Sequence, residues 1–353
     1  MLRKSMLILL VLVIIFSATL VSANNLGFED MPEDWSREAL QNAIDNDLLN
    51  GSKGKILPND NLTRAEMATI INRSFRSYEK SSLEGFKDIF PEDWYYEEMA
   101  KAVQMKTFNG NNGLLNPDNP ILREEAFVVI SRAFKVDKAS KSPKGYLDLG
   151  DISPWAKEDI YGLINAGYIE GFNGKINPKG TITRAEFAQL MYNIVKSYIN
   201  TPGVHEVAKE GNVMINVPGV ILKDSIIDGD LIIGEGVGSG DVILDNMIVN
   251  GKIVIRGGGE NSIIIADNSK VKKIIVSRLD GPVRVKVEDD SSVDLLIVDD
   301  GKDKVILEGT MKNIVVKTSE FPIMLERVKA NSIIKFEPET EIIIDKDSQI
   351  GNM

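Results

Sequence analysis

Thr63-Arg64-Ala65-Glu66, Leu122-Arg123-Glu124-Glu125 and Thr183-Arg184-Ala185-Glu186 are one short passage written three times, their arginines 59 and 61 residues apart. In the first and third copies a threonine is followed three residues later by glutamate. This is the capping-box arrangement, in which hydroxyl and carboxylate each take a backbone amide at a helix start. Apolar residues follow at helical spacing: Met67, Ile70 and Ile71 in the first copy, and Phe187, Leu190, Met191 and Ile194 in the third. The second copy has Leu122 where the hydroxyl should be, a loss of typically ~1 kcal/mol. It also has Glu124 in place of alanine, which sets a negative charge beside Arg123.

The repetition extends upstream. Each copy is preceded, in order, by an aromatic-x-Asp triplet (Phe28-Glu29-Asp30, Phe86-Lys87-Asp88, Tyr146-Leu147-Asp148), a tryptophan (Trp35, Trp94, Trp155), a Gly-x-x-Gly pair (Gly51/Gly54, Gly110/Gly113, Gly171/Gly174) and a proline (Pro58, Pro117, Pro178). After Trp35, the spacing of Ala39, Leu40, Ala43, Ile44 and Leu48 predicts a first helix, and the glycines and Asn-Pro pairs predict a turn before the second. A period of about 60 residues thus divides the chain into repeats at 24–80, 81–140 and 141–200, each an all-α helix pair. Two helices of this length cannot bury their apolar stripes alone, so the three pairs are expected to share one core.

These residues resemble the S-layer homology family, three of whose repeats occur together at bacterial surfaces. The resemblance implies a pseudo-threefold helical bundle that holds a secondary polysaccharide, attached to peptidoglycan and often carrying pyruvate ketals, in grooves between neighbouring repeats. Carried over residue by residue, it makes Asp30, Trp35, Arg64, Asp88, Trp94, Arg123, Asp148, Trp155 and Arg184 the candidate ligand-binding residues. Their chemistry suits that role. An arginine in a first helical turn sits where unpaired amides and the positive helix end favour anions. Its fork can hold a carboxylate. An aspartate accepts from sugar hydroxyls, and an indole offers an apolar platform with one donor. Each type also has a purely structural use: tryptophan as core, aspartate as a cap or ion-pair partner. The capping threonines and glutamates are read as structural. The Glu124 charge makes the groove at Arg123 the weakest for an anionic ligand.

Composition changes after a join at 201–212. Twenty aromatics fall between Phe28 and Tyr198, but only Phe321 and Phe336 follow Val204. Short β-branched runs recur instead, among them Leu231–Ile233, Ile253–Ile255, Ile274–Val276, Leu295–Val298 and Ile314–Val316. Turn residues every 8–12 positions would also suit a sandwich. The steadier period of about 20 between alternate runs favours an all-β solenoid over 213–353, similar, weakly, to right-handed parallel β-helices, including polymer-forming bactofilin-like ones. An enzyme of the polysaccharide lyase or hydrolase class would need paired carboxylates. Asp228/Asp230, Asp289/Asp290 and Asp299/Asp300 are read as solvated turn residues, and Gly257-Gly258-Gly259 as a turn rather than a phosphate loop. Asp228, Asp230, Glu235 and Asp241 fit no calcium-loop spacing.

The 353 residues carry 41 Lys+Arg against 52 Asp+Glu, no cysteine and one histidine, His205. That excludes disulfides, thiolate metal sites and His-plus-His zinc sites, and it argues against nucleic acid as a partner. No cofactor is implied. Arg3 and Lys4, the apolar run Met6–Phe16 and the exit Val21-Ser22-Ala23 describe a cleaved secretory signal over 1–23, and eleven apolar residues are too few to span a bilayer. The expectation is a secreted protein held to the cell wall by its repeats, without a transmembrane anchor. The solenoid would have a structural or assembly role, self-association included.

Overall fold

A computed structural model describes residues 27–353; the signal sequence expected over 1–23 lies outside them. The helical half contains α1 (Arg37–Asp45), α2 (Arg64–Phe75), α3 (Tyr96–Gln104), α4 (Arg123–Ala133), α5 (Lys157–Asn165) and α6 (Arg184–Ile194). Thr63 and Thr183 close complete capping boxes on α2 and α6. At α4 only the returning half survives, Glu125 accepting from the Leu122 amide at 3.0 Å.

The second helix of each repeat packs against the first helix of the next: α2 on α3, α4 on α5, and α6 back on α1. The bundle therefore closes on itself around one core that includes Leu40, Met67, Ile71, Met99, Phe127, Ile130, Leu163, Phe187 and Met191. At its centre the backbone forms a ring. Leu62 N–H donates to Ile182 O (3.0 Å), Ile182 to Ile121 (3.3 Å) and Ile121 to Leu62 (2.9 Å), all three residues fully buried.

Every strand pairing in the second half is parallel, which rules out the sandwich, and the strands wind into a solenoid of about eight turns. One interior column runs Val213, Leu231, Ile253, Ile274, Leu296, Ile314 and Ile333, successive members 18, 22, 21, 22, 18 and 19 residues apart. That spacing is the period of about 20 visible in the sequence. All seven side chains are buried, each contributing ~1.5–3 kcal/mol by leaving water. Serines mark one corner: the hydroxyls of Ser225, Ser269, Ser291 and Ser348 accept amides of the preceding coil at 2.8–3.1 Å.

The boundary differs from the expectation. Strand Val195–Ile199 follows α6 without a break and pairs with Asn212–Ile215, so the solenoid begins at 195 rather than 213. The expected join at 201–212 carries strand Gly203–His205, already paired in the first coil. Tyr198, inside the expected third repeat, is a half-buried strand residue beside Met214 and Ser74.

The halves share an interface. Outward-facing Met214 and Ile232 of the solenoid join the helical core. Arg256, 1 % exposed, donates to Ala133 O and Arg132 O at the C-terminus of α4 (both 2.9 Å), lies over the Phe75 ring and faces Glu235 at 3.8 Å. A cation suits that helix end, whose carbonyls have no intrahelical donor. Burial pushes the Glu235 carboxyl above its ordinary value, against the opposing pull of Arg256. Asp299 and Asp300 are not the solvated turn residues expected. They lie in strand Ser292–Gly301 and pair with Lys135 and Lys106 of the helical half, both at 2.9 Å.

Arg256→Met should therefore lower stability by about 2–4 kcal/mol, because helix-end carbonyls and Glu235 lose their buried partner. The three tryptophans all lie in the helical half, so their fluorescence and far-UV circular dichroism in urea report different parts. The two should trace one transition in the wild type and separate in the variant; an unchanged, coincident transition would count against a coupled interface.

Candidate functional site

The aspartates expected to meet ligand turn inward. Asp30 accepts the amides of Ile56 and Leu57 (2.7 and 2.9 Å), Asp88 those of Leu115 and Asn116 (2.9 and 2.6 Å), and Asp148 those of Ile176 and Asn177 (3.1 and 2.7 Å). In each pair the second residue is left-handed, with φ of 56°, 51° and 51°, a conformation the carboxylate holds in place. Burial raises the Asp30 carboxyl, but the amides of Ile56 and Leu57 and the charge of Lys55 outweigh it, leaving the carboxyl below its ordinary value. A folded-state value below the unfolded one contributes stability at neutral pH that is lost as pH falls through the folded value.

The rest of the upstream motif serves the same loop. The amides of Glu29, Lys87 and Leu147 donate to the carbonyls of Gly54, Gly113 and Gly174 at 3.1, 3.0 and 2.7 Å. The Phe28 and Phe86 rings lie so close over Gly51 and Gly110 that a Cβ there would come within 1.9 and 2.2 Å of them. Any side chain larger than hydrogen would displace the ring.

The loops so held receive the arginines of the neighbouring repeat. Nε of Arg64 donates to Leu115 O, that of Arg123 to Ile176 O and that of Arg184 to Ile56 O, at 2.7–2.8 Å. Nη1 then faces Glu125 (3.1 Å), Glu186 (2.8 Å) and Glu66 (3.8 Å), respectively. Arg184 also gives Nη2 to Asn50 O, while Arg64 and Arg123 keep that nitrogen clear of protein hydrogen bonds. The guanidinium groups of Arg64 and Arg123 lie over the Phe108 and Phe127 rings.

Two expectations are corrected here. The first-turn amides are not open to an anion: Arg64 and Ala65 N–H donate to Asn119 O and Pro117 O, and the pattern recurs for 123/124 and 184/185. The preceding loop of the next repeat has taken the place assigned to the ligand. Nor does Glu124 oppose Arg123. Its buried carboxylate accepts from Ser153 N–H and Oγ (3.0 and 2.9 Å) and from Lys179 Nζ (2.6 Å), capping the turn before Trp155.

Trp35, Trp94 and Trp155 are 60, 64 and 55 % exposed, so none is core. An open groove of about 740 Å³ brings Trp155 of the third repeat together with Arg64 of the first and Phe108, Asn109, Asn111 and Arg132 of the second. Trp35 and Trp94 do not line it. Arg132, Asn109 and Asn111 went unrecognised in the sequence; the signal was there, since Asn109 and Asn111 flank Gly110 on the turn and Arg132 sits seven residues, about two helical turns, beyond Glu125 on the same face. On the solenoid, Asp230 bonds to Lys252 and Asp228 to Asn250 of the next coil, while Glu235 faces the helical half. Among the described residues no group of three acidic or histidine side chains is placed to hold a metal, and no helix is long and apolar enough to cross a membrane.

A closed bundle of three helix pairs with a groove shared by all three defines a repeat-built helical domain. Residues 27–68, 85–127 and 145–188 each match the S-layer homology domain, and the chain carries three such domains. It is 28 % identical over 179 residues to the surface-layer 125 kDa protein of Lysinibacillus sphaericus, covering 49 % of this chain and 15 % of that one. It is 31 % identical over 147 residues to the cellulosome-anchoring protein of Acetivibrio thermocellus, covering 39 and 33 %. It is 25 % identical over 175 residues to the amylopullulanase of Thermoanaerobacterium thermosulfurigenes, covering 48 and 9 %. The chain spans a third or less of the length of each. The domains and these relatives make it a cell-surface protein.

Leu122→Thr tests the local reading of the helix start. Leu122 already has the extended backbone of Thr63 and Thr183, so the restored hydroxyl should raise stability by about 0.5–1 kcal/mol. Thermal unfolding reads this as a higher midpoint; a lower midpoint would mean the leucine is needed for packing in the groove.

Proposed function

We propose that the helical half holds the protein to the cell wall by binding a secondary polysaccharide linked to peptidoglycan, one bearing acidic groups such as pyruvate ketals. The observation that carries this reading is the convergence of Trp155, Arg64 and the amide side chains of Asn109 and Asn111, from three repeats, on one open groove. A sugar ring would stack on the indole, its hydroxyls would bond the amides, and an acid group would meet the nitrogen of Arg64 left clear of the protein. Arg123 with Trp35, and Arg184 with Trp94, are the counterparts under the pseudo-threefold repeat. Asp30, Asp88 and Asp148 act as positioning residues, fixing the loops on which the arginines rest. Several grooves of modest affinity on one polymer would together give firm attachment.

The solenoid is read as a noncatalytic spacer or assembly module. In support, Asp228, Asp230, Asp299 and Asp300 are engaged in bonds between coils or between halves, rather than converging on a cleft. An enzyme would need two of them free to exchange protons.

Trp155→Ala should reduce cosedimentation with purified wall sacculi by about 10-fold, the loss of one apolar platform burying the face of a sugar ring, while circular dichroism stays unchanged. Sacculi stripped of secondary polymer should retain little wild-type protein. Undiminished binding to stripped sacculi would point to peptidoglycan itself and overturn the reading.

A further inference from the structure

A second concavity, of about 360 Å³, lies at the C-terminal ends of α1 and α2 where they meet α3, apart from Trp155. Arg73, Arg76 and Lys101 contribute its positive charge, and Asn46, Asn50, Asn72 and Ser77 its neutral polar lining. Lys101 is paired with Glu98 at 2.7 Å. Asp47 and Glu98 also line it, but among the described residues no carboxylate lies within ion-pair distance of Arg73 or Arg76; Arg73 reaches only neutral acceptors, the Leu48 carbonyl (3.4 Å) and the Asn50 amide oxygen (3.2 Å). In a chain of net charge −11, two arginines opening into one basin without an acid partner form an unfilled electrostatic demand.

The basin is built rather than incidental. Arg76 is the left-handed C-cap of α2 (φ 49°), and its stem packs against Gly236 of the solenoid, where a Cβ would come within 2.6 Å. Asn72 is 2 % exposed; its Nδ2 is committed to the main-chain and side-chain oxygens of Glu98 (both 2.8 Å), and its Oδ1 is buried without a protein donor. Buried amide oxygens normally have a partner. The other repeats lack this combination. The counterparts of Arg76 are spent, Lys135 on Asp299 at 2.9 Å and Lys196 over the Tyr192 ring at 3.8 Å, and the third-repeat counterpart of Arg73 is Asn193.

We propose that this basin is a second ligand site, taking an oxyanion carried on a small polar body: a carboxylated or phosphorylated sugar unit. The Arg73 and Arg76 guanidinium groups receive the acid, and the polar lining of the basin meets the hydroxyls of the carrier. The site shares no residue with the Trp155 groove, but Asn50 and Arg73 are the first-repeat counterparts of Asn109 and Arg132 and Asn50 O accepts from Arg184 Nη2, so the groove of Arg184 and Trp94 is its neighbour and must be tested beside it.

Isothermal titration of the full chain with glucuronate, glucose 6-phosphate and glucose tests it, and comparison of the first two identifies which acid is preferred. At least one acid should bind saturably while glucose does not. Arg73→Gln/Arg76→Gln should weaken that binding about 10-fold or more, as loss of charge-assisted hydrogen bonds requires, and neither Trp94→Ala nor Trp155→Ala should change it. If the double variant proves misfolded by circular dichroism, exposed Arg76→Gln alone should still weaken it several-fold. The proposal is overturned if neither acid binds, if glucose binds as well, or if the loss follows Trp94→Ala or Trp155→Ala as much as the arginine changes.

Discussion

Each repeat lends its arginine to the next. The guanidinium groups of Arg64, Arg123 and Arg184 are aimed at carbonyls of the following repeat's loop, and those loops keep their shape because Asp88, Asp148 and Asp30 hold two amides apiece. Because the third hand-over returns to the first repeat, no repeat is complete alone, and every groove is assembled from more than one. Charge-assisted bonds held in a partly dry setting are among the stronger polar contacts a protein makes. Their cyclic arrangement, with the buried backbone ring of Leu62, Ile182 and Ile121 inside it, explains why so few residues recur so strictly.

Much of this was legible from residue order. The capping boxes fixed where α2 and α6 begin, because a hydroxyl and carboxylate three residues apart have few other uses before an apolar stripe. The solenoid showed itself through a period of about 20, which is the length of one coil. What residue order hid was closure. Nothing near Arg64 indicates that its groove will borrow a tryptophan from 91 residues downstream, because that neighbour is set by the third repeat folding back on the first. For the same reason the helix-start amides looked open to an anion; the carbonyls that fill them belong to another repeat.

The contact between halves was less visible. Val213-Met214-Ile215 and Leu231-Ile232-Ile233 are apolar at the outward position as well as the inward ones, where a solvated coil would alternate. Arg256 ends the apolar run Ile253-Val254-Ile255 as a lone cation. An apolar outward position also occurs in Val242-Ile243-Leu244 and Ile314-Val315-Val316, which no helix covers, so the covered strip becomes visible only in the folded chain. Arg256, Lys135 and Lys106 tie the solenoid to the ends of α3 and α4.

The most direct test of the account is the indole region of the proton–nitrogen spectrum, where the chain has three signals, one from each repeat, titrated with oligosaccharide released from the wall polymer. The account predicts that the Trp155 signal moves saturably, and that Arg64→Ala diminishes its response although Arg64 is two repeats away in sequence. Movement confined to solenoid amides, with all three indoles still, would contradict it.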